Sequence, residues 1–227
     1  MDHTNKQFDA DLDGLRKMTT NMASLVEYQL QRAVDAIRHE DLDLVAQVLA
    51  DESKVNRMHL QSDLRCHQII AKRQPIAVDL REILAIMHMN NDLERVGDEA
   101  KKIAKKARQL IGRPLPIDTL QLEMMCRQVI AMLRTAVTAF TTRDVKSAAS
   151  LRPQDRQVDG MRTQLTEELS SKIDSNIARV SDALSLIFVV QSLERVGDHA
   201  KNIGEYVVTV VEGTDPRYER SRGPLAD

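Results

Sequence analysis

Two pairs of acidic residues recur at matching places in this sequence. The hexapeptide LERVGD occurs twice, and its acids are Glu94 and Asp98 in the first copy and Glu194 and Asp198 in the second. Residues four apart share one face of a helix, where like charges repel and cost a few tenths of a kcal/mol. A cation bound between the carboxylates would remove that repulsion. The pattern therefore indicates a site for a hard metal ion.

A second set of polar side chains precedes each hexapeptide. Glu52 and Asn56 are four residues apart in the first half of the chain, and Asp155 and Asp159 are four residues apart in the second half. Turns are predicted at Pro75 and at 174–176, midway between the two pairs of each half. Antiparallel helices joined by these turns would bring the pairs level. The predicted metal ligands are Glu52, Asn56, Glu94 and Asp98 in one cluster, and Asp155, Asp159, Glu194 and Asp198 in the other.

The ligand types favour some ions over others and leave one alternative open. A site made only of oxygen donors favours Mg, Mn, Fe or Ca over zinc of the kind that is bound by thiolates. Acidic pairs on helices are also common on solvated surfaces, where nearby lysines neutralise them. Lys101 and Lys102 follow Asp98 closely and Lys201 follows Asp198, so each could form an ion pair with the preceding aspartate.

The elements that carry these residues are predicted to be long helices. The chain has 227 residues, of which only eight are glycine and six are proline, and good helix formers dominate. Apolar residues recur at steps of three and four from Phe8 to Arg38. Pro153 falls inside the fifth predicted helix, where a bend or a late start is expected. The six predicted helices cover about 8–38, 42–73, 76–111, 118–142, 144–173 and 177–211.

The second half of the chain repeats the plan of the first. AVDAI at 33–37 matches AVTAF at 136–140, and the two hexapeptides match as well. Internal repeats of this kind indicate duplicated structural units. The predicted fold is all-α, with two tandem three-helix bundles at 8–112 and 116–212 and a flexible tail at 213–227.

Composition argues against several classes of function. The net charge of -2 gives no electrostatic case for binding nucleic acid. The longest uncharged run, Ala183–Leu193, is too short to span a bilayer, which takes about 20 residues. The acidic, polar N-terminus lacks the apolar core of a secretory signal. Cys66 and Cys126 have no metal-type spacing and are predicted to be reduced thiols of a cytoplasmic protein.

Several stretches of the sequence resemble the PhoU family. They are the two LERVGD copies, AKRQPIAVDLREIL before the first copy, and AKNIGEY after the second. The family comprises cytoplasmic regulators of bacterial phosphate uptake and signalling, and the resemblance extends from about Phe8 to about Val211. It implies a negative regulator that commonly dimerises. Such a protein links the phosphate ABC transporter, through its ATPase, to a membrane sensor histidine kinase.

The resemblance also implies metal clusters on the paired acidic motifs. The family pattern falls on the eight residues named above, and the expected cofactor is a divalent or trivalent ion such as Fe, Mn, Mg or Zn. Asn56 departs from the pattern, since the second half has Asp159 there, and an amide is a weaker ligand. No P-loop, nucleophile elbow or dinucleotide motif occurs, which predicts a protein without enzymatic activity. The alternatives are a metal-dependent phosphohydrolase and a plain helical adaptor.

Overall fold

The computed structural model describes residues 2–173 and 177–214, and all regular structure in those ranges is helical. The predicted all-α fold is confirmed. The turn predicted at 174–176 and residues 215–227 of the predicted tail lie outside the described residues. The helices are α1 (Asp2–Arg38), α2 (Leu42–Arg73), α3 (Ala77–Leu110), α4 (Thr119–Thr142), α5 (Val145–Ala149), α6 (Leu151–Ser171) and α7 (Ile177–Glu212).

Local signals in the sequence explain where α2 and α4 begin and where α2 ends. The Asp41 carboxylate accepts hydrogen bonds from the backbone N–H groups of Asp43 at 2.8 Å and Leu44 at 3.1 Å, which caps α2. Asp118 caps α4 in the same way. At the other end of α2, Gln74 adopts a left-handed conformation with φ 48° before Pro75. Such a residue commonly follows the last turn of a helix.

The predicted fifth helix is divided into two helices. A break at Ser150 separates α5 from α6, and Pro153 is the third residue of α6. Proline is tolerated in the first turn because its missing N–H would have no partner inside the helix. The predicted disturbance near Pro153 is therefore confirmed. The start predicted for α1 at Phe8 was too late, since α1 begins at Asp2.

The helices of the two halves pack into one layered structure. In the first half α1 packs against both α2 and α3, and in the second α4 packs against both α6 and α7. The halves meet where α3 packs against α7 and α1 against α4. Since α2 also contacts α3, and α7 contacts α6, the helices α2, α3, α7 and α6 lie side by side in one layer. Helices α1 and α4 lie behind this layer.

Contacts along the α3–α7 boundary show that these two helices are antiparallel. Asp92 of α3 contacts His199 of α7, while Lys106, further along α3, lies over the ring of Phe188, earlier on α7. The same arrangement would result from a two-fold relation between the repeats.

Large apolar side chains with essentially no exposure fill the interior of both halves, and burying each contributes about 1.5–3 kcal/mol. They include Leu15, Leu30, Ile83, Met89, Leu93, Leu122, Met125 and Met132.

Candidate functional site

The first acidic cluster lies between α2 and α3, and a lysine joins its two sides. The Nζ atom of Lys101 on α3 donates a hydrogen bond to Oε1 of Glu52 on α2 at 2.6 Å. The amide of Asn56 donates to the same oxygen at 3.1 Å. Glu94 and Asp98 are half-buried on α3. The hairpin therefore brings the two helices into the predicted register.

The charges in the first cluster partly compensate each other. The hydrogen bond to Glu52 is the main cause that raises the pKa of Lys101, and the charges of Asp98 and Glu94 raise it further. The same hydrogen bond lowers the pKa of Glu52, helped by the charge of Lys105. The ammonium group of Lys101 is thus the cation that faces these carboxylates.

The second acidic cluster lies between α6 and α7 and has a similar lysine. Nζ of Lys201 donates hydrogen bonds to Oδ2 of Asp155 at 2.5 Å and to Oδ1 of Asp198 at 2.6 Å. Nε of Arg162 lies 3.7 Å from Oε1 of Glu194. Lys201 therefore bridges the two helices through carboxylates on both of them.

In the second cluster, partial burial and neighbouring acids disfavour the ionised form of two of the carboxyl groups. Burial raises the pKa of Asp155, although the hydrogen bond from Lys201 opposes this, and the charges of Asp198 and Asp159 raise it further. Burial also raises the pKa of Glu194, and the charge of Asp198 adds to the effect. Ionised carboxylates are disfavoured where they are partly desolvated and close together.

The donor chemistry of both clusters suits a hard cation, but in this arrangement the lysines take that role. Among the described residues, no three histidine, cysteine or acidic side chains converge closely enough to hold a metal ion. The structure brings Asp155 and Asp198 together around Lys201, and Glu52 opposite Lys101. A metal ion would need the ammonium groups to leave and the carboxylates to close in.

The ion pairs that the sequence left open as an alternative are only partly those of the structure. Lys101 could pair with Asp98 on its own helix, but its hydrogen bond goes to Glu52 on α2. Lys201 does bond to Asp198 as expected, and also reaches Asp155. The signal that could have revealed the shared role is the recurrence of lysine at the same place after both hexapeptides.

Gly97 has a packing role beside the first cluster. A Cβ atom on this residue would lie 3.3 Å from both Oε1 of Gln29 on α1 and Cγ1 of Val55 on α2. The glycine therefore allows three helices to approach one another closely. At Gly197 the nearest atom, in Val158, would be 3.5 Å away, which is ordinary contact. Glycine weakens the middle of a helix, and the close packing of the three helices explains why it nevertheless occurs at position 97, whether or not a metal ion binds nearby.

A surface groove of about 630 Å³ adjoins the second cluster. It lies between α5, α6 and α7 and is lined by the charged residues Arg152, Arg156, Lys201 and Glu205, among others. Arg152 lies 3.9 Å from Glu205 across the groove. Lys201 is shared by the groove and the acidic cluster, so the two features are continuous.

None of the helices in residues 2–173 and 177–214 is long and apolar enough to cross a membrane.

Family comparison accounts for both halves of the chain. The family model of the PhoU domain matches twice, at residues 19–107 and 122–207. The phosphate-specific transport system accessory protein PhoU homolog of Pseudomonas aeruginosa is 37% identical over 95% of this chain and 90% of its own length. The phosphate-specific transport system accessory protein PhoU of Escherichia coli is 33% identical over 95% of this chain and 90% of its own length.

Solved structures share the fold. The crystal structure of PhoU from Pseudomonas aeruginosa superposes with a TM-score of 0.86 at 37% identity, covering 91% of this chain and 100% of that one. The phosphate transport system regulatory protein PhoU from Streptococcus pneumoniae superposes with a TM-score of 0.84 at 26% identity, covering 92% and 98%. Two matched domains, near full-length relatives and the same helical architecture lead to one conclusion: this chain belongs to the PhoU family.

Proposed function

We propose that this protein is a negative regulator of phosphate uptake and of the phosphate-starvation response. The observation that carries the proposal is the similarity, over 95% of the chain, to proteins named as accessory to phosphate-specific transport. Similarity of this extent covers both repeats and both acidic clusters. The protein would act by contact with partners and would have no turnover of its own.

The proposed partners are the ATPase of the phosphate ABC transporter and a membrane sensor histidine kinase. A cytoplasmic homodimer would hold the kinase off while phosphate is plentiful and would restrain uptake. The broad layer of α2, α3, α7 and α6 supports this proposal, because it is large enough to offer separate surfaces to different partners. Transient contacts of this kind need only modest buried area and are tuned by charge.

We also propose that the acidic clusters bind a divalent or trivalent metal ion, such as Fe, Mn, Mg or Zn. Its ligands would come from Glu94 and Asp98 with Glu52 and Asn56, and from Glu194 and Asp198 with Asp155 and Asp159. Oxygen donors on facing helices support this assignment. The ion would supply positive charge to hold the two helices of a hairpin together.

A gene deletion tests the regulatory role. In phosphate-rich medium, deletion should switch on a phosphate-starvation reporter, and the wild-type protein supplied in trans should silence it again. A reporter that stays silent after deletion would contradict the proposal. The purified protein, assayed with Mn²⁺ or Fe²⁺, should not hydrolyse phosphate esters at enzyme-like rates. Such turnover would support a metal-dependent phosphohydrolase instead.

A further inference from the structure

We propose that Lys101 and Lys201 are built-in cations that compete with metal ions for the two acidic clusters. This inference rests on the metal binding proposed above and concerns the residues that control it. Both lysines occupy the third position after the hexapeptide aspartate, and both hydrogen-bond to a carboxylate on the facing helix. The arrangement therefore recurs in the two repeats, as the acidic pairs do.

The geometry at Lys201 gives the strongest evidence for competition. Its Nζ atom lies 2.5 Å from an oxygen of Asp155 and 2.6 Å from an oxygen of Asp198, so it lies between two candidate ligands on different helices. A metal ion bound between both carboxylates would occupy the space that the ammonium group now fills. The ion would also be repelled by an ammonium group left beside it. Metal binding thus requires Lys201 to release both aspartates.

The adjoining groove gives the displaced side chain a place to go. Lys201 lines the groove together with Glu205, so the long, flexible lysine can turn away from the cluster and stay near a carboxylate at the open surface. Arg152 already lies 3.9 Å from this glutamate. Release of Lys201 would therefore leave its ammonium group in this groove, beside the acidic side chain of Glu205.

The two clusters differ in their carboxylates and in how many of these the lysine holds. The second has four acids, and Lys201 hydrogen-bonds to one on each helix of the hairpin. The first has three acids, because Asn56 is neutral and donates its amide to Glu52, the carboxylate that Lys101 also holds. The second cluster should therefore accept a metal ion first, and removal of Lys201, which frees two candidate ligands, should have the larger effect.

Manganese binding to the purified full-length protein tests the competition. Chelator-treated wild type and the Lys201→Met and Lys101→Met variants would be titrated with Mn²⁺ by calorimetry, with bound metal counted by elemental analysis after dialysis. We expect Lys201→Met to tighten Mn²⁺ binding at least tenfold and Lys101→Met to tighten it less. Arg156→Met removes a positive charge from the same groove and controls for general electrostatics. It should change the affinity by less than threefold.

The outcomes separate this inference from the proposed metal binding. If Lys201→Met weakens Mn²⁺ binding or leaves it unchanged while Asp198→Asn abolishes it, the clusters bind metal but the lysine is no competitor. If neither wild type nor Lys201→Met takes up Mn²⁺, both the metal binding and the competition are wrong. Circular dichroism would check folding, and Lys201→Gln, which keeps a hydrogen-bond donor, should show the same direction of change.

Discussion

Nδ1 of His199 lies 2.7 Å from Oδ1 of Asp92, and this contact crosses the boundary between the two repeats. The hydroxyl of Tyr206 donates a hydrogen bond to the other carboxylate oxygen at 2.8 Å. Asp92 is 4% exposed, so its carboxylate depends on these two partners from α7. A buried charge without partners would be strongly destabilising. The network therefore helps to determine how α3 is placed against α7.

Removing one partner of Asp92 should weaken the whole fold. Tyr206→Phe deletes only the hydroxyl and leaves a buried carboxylate oxygen unpaired, which costs about 1–3 kcal/mol. Urea denaturation followed by circular dichroism would measure the free energy of unfolding. Tyr28→Phe is the matched control, because Tyr28 is 64% exposed and its loss of a hydroxyl should have little effect. Equal stability of the two variants would contradict the role given to this network.

Gly204 should not tolerate a side chain. A Cβ atom there would lie 2.5 Å from Cδ1 of Leu151 and 3.2 Å from the carbonyl oxygen of Ala148, where α5 approaches α7. Gly204→Ala should lower the free energy of unfolding by about 1–3 kcal/mol through overpacking. Gly160→Ala, where no atom lies within 4 Å of the new Cβ, should instead raise it by up to about 1 kcal/mol. Thermal denaturation of both variants distinguishes these effects.

Glu194 should oppose folding at neutral pH in metal-free protein. Its pKa is raised in the fold, first by burial and then by the charge of Asp198, so the folded state favours the protonated acid. Its contribution to stability is present below the unfolded pKa and is lost as the pH rises through the higher folded pKa. Glu194→Gln should therefore raise the melting temperature at pH 7 in chelator, with the difference shrinking toward pH 4.

Glu52 should show the opposite dependence on pH. The hydrogen bond from Lys101 lowers its pKa in the fold, so its contribution is present above the unfolded pKa and is lost as the pH falls through the lower folded value. Glu52→Gln should lower the melting temperature slightly at pH 7 and lose this effect in acid. The change will be small because the pair is solvent-screened. A melting temperature raised by Glu52→Gln would contradict this ion pair.

Both cysteines should be inert while the protein is folded. Cys66 and Cys126 are buried free thiols, and burial raises the pKa of each to about 12. Since the thiolate is the reactive form, an aromatic disulfide reagent should label neither thiol within minutes at pH 8. Both should react at once in concentrated urea. Rapid labelling of the native protein would show that one of these sites opens locally.

The sequence by itself determined the helical class, the repeat and most helix ends. These features depend on local interactions: apolar periodicity, caps such as Asp41, and Pro75 after α2. The register of the acidic pairs could also be predicted, because a short turn joins two straight helices of known rise. The eight residues remain a prediction as metal ligands, while their placement in two clusters follows from the hairpins.

Only the tertiary structure decided which groups neutralise the acidic clusters and how the repeats join. Lys101 has carboxylates within reach on its own helix and on α2. Spacing along the sequence predicts only the partners on its own helix. The long side chain bonds to Glu52 because packing of α2 on α3 places that oxygen at its tip. The contact of His199 with Asp92 likewise depends on the antiparallel packing of α3 and α7. Residues so distant along the chain meet only when the whole core is assembled.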